Sequence, residues 1–288
     1  ESFTFDYDLP NDTVYAETCA SIALAFAAQR MLRRSPKGKV ADALERALYN
    51  TAVAGMSLDG TKFFYVNPLA VWPEGSEKAC DLWHVLPTRP SWFGCACCPP
   101  NLARTVMSLG SYQYTMLDGA VYAQLYADSD ASLDLGGGQR AAIRMKTGYP
   151  VDGRIEMVVA GGSFPLALRI PGWCKSFRLA IDGVPAAFTL QDGYAVLESG
   201  WTGQTVTLEL EMPVERVYAG PQVPHDAGLV CLQRGPLVYC LEEADNGKRL
   251  WNLSLPADAA LETTYEADLL EGVTVVSAMG FRRADDDA

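Results

Sequence analysis

The spacing of apolar positions changes period once along this chain, and that change organises it. Up to Tyr112 the apolar residues recur at helical intervals, and beyond it they alternate with polar ones every second residue. An apolar-rich run over residues 14–32 follows Asn11-Asp12-Thr13, which offers helix-capping side chains, and stops at Arg33, Arg34, Pro36 and Gly38. Val40, Ala43, Leu44, Ala47 and Leu48 mark a second amphipathic helix over 40–56. Asp59-Gly60 then turns the chain into an aromatic, strand-like stretch at 61–66. Residues 67–94 contain Pro68, Pro73, Pro87 and Pro90 and read as a long irregular loop, a kind of segment that often carries function. A third helix is expected to open at Pro99 or Pro100, where proline is tolerated, and to run to Leu109.

In the alternating part, strands are expected at 121–126, 142–145, 154–160, 166–170, 177–181, 195–197 and 206–210. Asp118-Gly119, Asp152-Gly153, Asp182-Gly183 and Asp192-Gly193 are hairpin signals, because both residues of such pairs accept positive φ. Many short strands between such turns predict a β-sandwich. From Val214 a further β module is expected, around the run Arg234 to Glu242, and the chain ends in Asp285-Asp286-Asp287-Ala288 with no closing strand. The expected division is therefore 1–115 helical, 116–213 β-sandwich, and 214–288 a second, incomplete β domain.

Composition narrows the classes of function. With 49% hydrophobic and 20% charged residues over 288 positions, the chain is that of a globular protein with a sizeable core. No stretch reaches the ~18 consecutive apolar residues of a membrane span. The 35 acidic and 23 basic residues leave a net charge of -12, which repels nucleic acid and anionic membrane surfaces. Eight cysteines are too sparse for a small disulfide scaffold. Cys80, Cys174, Cys231 and Cys240 have no ligand-like spacing and are expected to be ordinary buried residues. Reduced thiols point to a cytoplasmic setting. The chain starts with Glu1, shows no leader peptide, and reads as beginning within a domain.

Two short clusters carry the chemistry. Cys97 and Cys98 are adjacent, so they cannot readily bridge to each other, but they can offer two thiolates to one metal. Glu17 and Cys19 bring the ligand count to four, the number a tetrahedral Zn²⁺ takes. Cys95 is a competing ligand. Ligand count alone favours zinc as a brace for the fold. A reactive role requires Cys97 or Cys98 to be an activated thiolate at a helix start. Few histidines are available to assist it: His84 reads as a loop residue, and His225 is the other. Glu1, Asp6, Asp8 and Asp12 are abundant carboxylates whose default is solvated surface charge. A redox role for Cys95 to Cys98 lacks the βαβ setting such pairs use.

The segments Phe3 to Asn11, Tyr15 to Ser21, Phe63 to Leu69, Cys95 to Asn101, Leu168 to Cys174 and Arg234 to Glu242 together resemble glycoside hydrolase family 127, in order and over essentially the whole chain. The resemblance implies mixed α and β architecture: the C-terminal part of an (α/α)6 barrel followed by β-sandwich domains, the last truncated. It implies zinc held by Glu17, Cys19, Cys97 and Cys98, with Cys97 as nucleophile, Glu1 as general acid/base and Tyr65 contacting the sugar. The implied reaction is retaining hydrolysis of plant-derived L-arabinofuranosides or glycosides of related sugars, with a cysteine replacing the usual second carboxylate. Family members carry most of the barrel before the point matching Glu1. The chain is therefore expected to hold the nucleophile and metal half of a site, to be inactive and poorly soluble alone, and to leave oligomeric state open. The alternative is a non-catalytic carbohydrate-binding or structural module braced by zinc. In that alternative Tyr122, Tyr126, Trp173 and Trp201 would stack on sugar rings, although filling the sandwich core is their ordinary role.

Overall fold

A computed structural model describes residues 4–283; Glu1 and the tail from Asp285 lie outside the described residues. The helical part comprises α1 (Thr18–Leu32), α2 (Gly38–Arg46), α3 (Pro73–Lys78), α4 (Cys98–Ser108) and α5 (Gly110–Gln113). After Arg46 the chain continues as a π-turn, Ala47–Ala52, and a 3-10 turn, Val53–Gly55. Ala25, Ala28 and Leu32 of α1 bury against Ala41, Leu44 and Leu48, and small alanines let the two helices approach closely.

Several helix boundaries differ from expectation. Residues 14–17 are not helical, because Ala16 takes a left-handed φ of 40° and Glu17 is extended, pairing with Val66. Asn11-Asp12-Thr13 therefore caps no helix, and the side chains of Asn11 and Asp12 turn to tertiary partners. Residues 61–66 form only isolated bridges, Met56 with Phe63 and Glu17 with Val66, rather than a strand. The 67–94 loop contains α3, which opens on Pro73, where the missing N–H is no loss.

The middle part is one nine-stranded sheet: β1 (Tyr114–Leu117), β2 (Ala120–Ala123), β3 (Ser129–Gly136), β4 (Gln139–Thr147), β5 (Arg154–Arg169), β6 (Phe177–Ile181), β7 (Val184–Pro185), β8 (Thr189–Gln191) and β9 (Tyr194–Leu210). The two strands expected at 154–160 and 166–170 are a single one, as are those at 195–197 and 206–210. Bulges at 159–162 bend β5, where Gly161 has φ +124° and its missing Cβ leaves room for Arg140 O. The first half of β5 pairs with β4 and its second half pairs in parallel with β2, while β9 runs beside both halves. Ile143, Met157 and Val206 from one half share a buried core with Val121, Leu168 and Leu197 from the other. The bent sheet therefore folds over its own core. Of the four Asp-Gly pairs beyond Tyr112, three are two-residue hairpin turns with both residues at positive φ, at Asp118, Asp182 and Asp192. The Asp152-Gly153 pair is not: it ends the longer β4–β5 connection.

Beyond it lie a three-stranded sheet of β10 (Val214–Val217), β11 (Cys231–Arg234) and β12 (Leu237–Tyr239), and two antiparallel two-stranded pairs. Those pairs are β13 (Leu253–Ser254) with β16 (Phe281–Arg282), and β14 (Leu261–Glu266) with β15 (Val273–Ala278). Tyr126 and Trp201 are fully buried and Tyr122 and Trp173 partly so, which places them in packing roles.

Two contacts tie α2 to the large sheet. Arg169, wholly buried at the end of β5, bonds Asp42 and Glu45 of α2 and the carbonyl of Gln124. At the start of α2, Gly38 N–H donates to Asp192 O at 2.7 Å, and a Cβ on Gly193 would stand 2.9 Å from Gly38 Cα. Gly193 also has φ +87°. Gly193→Ala is therefore expected to cost about 1–3 kcal/mol through strain and overpacking. A urea midpoint within error of the parent's would show that the two backbones are not held that close.

Candidate active site

The N-termini of α1 and α4 meet at one point. Ile22 and Leu102, each about one turn into its helix, share a buried cluster, so the two helices leave this point side by side. Cys19 lies in the first turn of α1, Cys98 is the first residue of α4, and Cys97 precedes it with Pro99 and Pro100 following. Helix N-termini favour anions, and these sulfurs belong to residues at the starts of two helices. Extended backbone sets the remaining ligand: Thr18 N–H donates to Tyr65 O at 3.0 Å and Asn67 N–H to Ala16 O at 3.1 Å, with Glu17 opposite Val66 between them. Thr18 is buried, its hydroxyl donates to Phe64 O, and Gly55 is the neighbour whose missing side chain makes room for it.

The ligand atoms of Glu17, Cys19, Cys97 and Cys98 all lie within 4.8 Å of one another. Cys19 Sγ is 3.4 Å from Cys97 Sγ and 3.7 Å from Cys98 Sγ, the latter two are 3.9 Å apart, and Cys97 Sγ is 3.5 Å from Glu17 Oε1. These separations are far beyond a disulfide bond of ~2.05 Å. They match the ~3.8 Å edge of a tetrahedron with ~2.3 Å metal–sulfur bonds. Without a cation the same crowding suppresses ionisation: burial and the neighbouring Cys19 push the Cys97 thiol up to about 11, and burial drives Cys98 well above the usual thiol range. A bound cation reverses that balance and deprotonates the thiols. The donor set thus fits a metal ion.

Within the cluster the thiols are not equivalent. Cys98 is wholly buried, whereas Cys97 and Cys19 are partly exposed. Asn101 Nδ2 donates to Cys19 Sγ at 3.0 Å, and the Tyr65 hydroxyl hydrogen-bonds Cys97. That bond and burial raise Tyr65 far above the usual tyrosine range. Tyr65 also bonds Tyr15 and packs against Phe93 at 5.7 Å between ring centroids. Arg89 ties its own loop to the preceding segment by donating to Ala54 O while lying 4.6 Å over the Phe64 ring.

Cys95 is exposed and stands outside the cluster, so it does not compete for the site. The other four cysteines are not the buried residues expected: Cys80 and Cys240 are exposed, and Cys174 and Cys231 half-buried. His84 packs at a tilt against Tyr15, with ring centroids 5.4 Å apart, and His225 bonds Asp8 far along the chain. Sequence reasoning assigned no role to Asn101, Tyr15 or Phe93. Only Asn101 had a readable signal, its one-turn spacing from Cys97 and Cys98.

Three family models cover the chain in order: the β-L-arabinofuranosidase catalytic domain of glycoside hydrolase family 127 over residues 1–111, the middle domain over 120–212, and the family's C-terminal domain over 214–276. The chain belongs to glycoside hydrolase family 127. It is 44% identical, over 304 aligned positions, to a non-reducing end β-L-arabinofuranosidase of Bifidobacterium longum subsp. longum. That match takes in 100% of this chain and 45% of the relative, so the chain spans less than half of the relative's length. Among solved structures, a family 127 β-L-arabinofuranosidase from Geobacillus stearothermophilus T6 superposes with a TM-score of 0.94 at 51% identity, over 99% of this chain and 45% of the other. A second family 127 β-arabinofuranosidase gives 0.88 at 32% identity, over 96% and 45%. The mixed α and β fold with several sheets is thus that of family 127 structures.

Proposed function

We propose that this chain carries the nucleophile and metal half of a retaining glycoside hydrolase acting on plant-derived β-L-arabinofuranosides. The observation that carries the reading is the partly exposed Cys97, set among three other donors and hydrogen-bonded by Tyr65. In this reading Glu17, Cys19, Cys97 and Cys98 hold Zn²⁺. The helices are a segment of an (α/α)6 barrel, residues 1–115, and the sheets at 116–213 and 214–288 are β-sandwich domains. When bound, zinc would keep the sulfurs as thiolates at neutral pH.

The chain's own residues then divide the work. Glu1, outside the described residues, protonates the departing glycosidic oxygen while Cys97 Sγ attacks the anomeric carbon, giving a thioglycosyl–enzyme and a free alcohol. Glu1, now a carboxylate, takes a proton from water as that water's oxygen displaces Cys97 at the same carbon. Two displacements retain configuration. Tyr65 donates to the Cys97 sulfur and orients it, and its ring borders the space where the sugar sits. Four protein ligands are also the mark of a structural zinc, which sustains the brace reading.

Labelling separates the two. Intact protein treated with an electrophilic β-L-arabinofuranosyl analogue, then digested for mass spectrometry, is expected to carry one label on Cys97 and to retain one zinc. Full zinc with Cys97 unlabelled, under conditions where the analogue reaches accessible thiols, would leave only the brace.

A further inference from the structure

The segment that delivers Glu17 is irregular. Residues 5–16 contain no helix or strand, and two non-glycine residues, Tyr7 and Ala16, sit at positive φ (65° and 40°). Ala16 directly precedes Glu17. A left-handed alanine persists only where its surroundings impose it. On one side the imposing contacts come from the 65–70 backbone, including Ala70 N–H donating to Asn11 O at 2.8 Å.

On the other side they come from the C-terminal β module, more than two hundred residues away in sequence. In the turn Pro224–Asp226, between β10 and β11, His225 Nε2 stands 3.0 Å from Asp8 Oδ1. The next residue, Asp226, accepts from Asn11 Nδ2 at 2.9 Å. A second turn of the module, Leu250–Asn252, places Trp251 against Trp72 with ring centroids 5.0 Å apart. Trp72 Nε1 in turn donates to Asp12 Oδ2 at 2.9 Å. Asp8, Asn11 and Asp12 are thus gripped in succession, and the grip ends four residues before the strained Ala16.

We infer that the C-terminal β module is part of the site's positioning apparatus: Asp226 and Trp251 clamp the 8–17 segment and so hold Glu17 in register opposite Val66, beside the cysteines. The module thereby does more than accompany the hydrolase domain. This inference rests on the reading of Glu17 and the cysteines as one site.

Two variants, Asn11→Ala and Trp251→Ala, test it in the intact protein by hydrogen exchange of peptides covering 8–18 and 64–72, alongside the rate of zinc release to a chelator. Both variants are expected to raise exchange in these peptides about fivefold, the scale of one lost hydrogen bond on a local opening. Zinc release should quicken in step, while exchange in β5 and β9 stays unchanged, and Trp251→Phe should restore the parent's behaviour. Unchanged exchange over 8–18 in both variants would overturn the clamp. So would an increase spread equally over β5 and β9, which would mark general destabilisation. Protein that takes up no zinc would sink the site assignment, while the exchange pattern would still decide whether the module holds the segment.

Discussion

In full-length enzyme containing this chain, Cys97→Ser is expected to fold as the parent does and to lose about 10⁴–10⁶-fold in turnover of an aryl β-L-arabinofuranoside, the scale on which removing a covalent nucleophile acts. The expectation comes from the inequality among the thiols. Cys98 is closed off from solvent and Cys19 is held by Asn101, so of the cluster only Cys97 is both reachable and contacted by Tyr65. A hydroxyl in its place ionises far less readily than a thiol, so proximity to the anomeric carbon does not rescue attack. The comparison variant is Cys98→Ser, whose effect should track metal content rather than chemistry. Kinetics of intact protein reconstituted with measured amounts of zinc separate the two. If Cys97→Ser keeps more than about a hundredth of the parent's turnover at equal zinc occupancy, the nucleophile lies elsewhere.

The second large effect lies away from the site. Arg169→Leu is expected to destabilise the protein by about 3–5 kcal/mol, because removing one partner of a buried pair strands the other charge. Glu45 has only 2% of its side chain exposed and Asp42 23%, so neither can fully recover its hydration. Tyr149 donates to Glu45 at 2.5 Å, and Arg169 also satisfies Gln124 O, so the substitution orphans a carbonyl as well. The double variant Arg169→Leu with Glu45→Leu should recover part of the loss, since two apolar groups can replace a buried pair at little cost. Urea unfolding of the parent, the single and the double variants measures it. A single-variant loss under about 1 kcal/mol would mean that the arginine's site is wetter than its full burial indicates.

This junction explains a limit of sequence reading. The run Leu168-Arg169-Ile170-Pro171-Gly172-Trp173 was legible as a motif, but nothing in it shows that the arginine points into α2. Its partners, Asp42 and Glu45, lie more than 120 residues earlier and look like ordinary solvated charges on an amphipathic helix. The same holds for Asp8, Asn11 and Asp12, which read as capping or surface groups and instead bond a turn and a loop far along the chain.

What the sequence determined by itself was local or periodic. The shift from helical to alternating spacing marked where helices end and sheet begins, and the Asp-Gly pairs placed three tight turns, because those turns need positive φ at both residues. Residue type and adjacency singled out Glu17, Cys19, Cys97 and Cys98, since few other combinations in this chain offer that donor set to one ion. Tertiary structure decided the rest. It bent two strands through both halves of one sheet, unwound residues 14–17 ahead of α1, and brought the two candidate donor pairs within 4.8 Å across nearly eighty residues. It also set which sulfur is buried and which faces Tyr65. The reason is physical: spacing along a chain encodes which face of a local element a side chain occupies. Burial, ion pairing and ligand geometry depend on which distant element packs against that face.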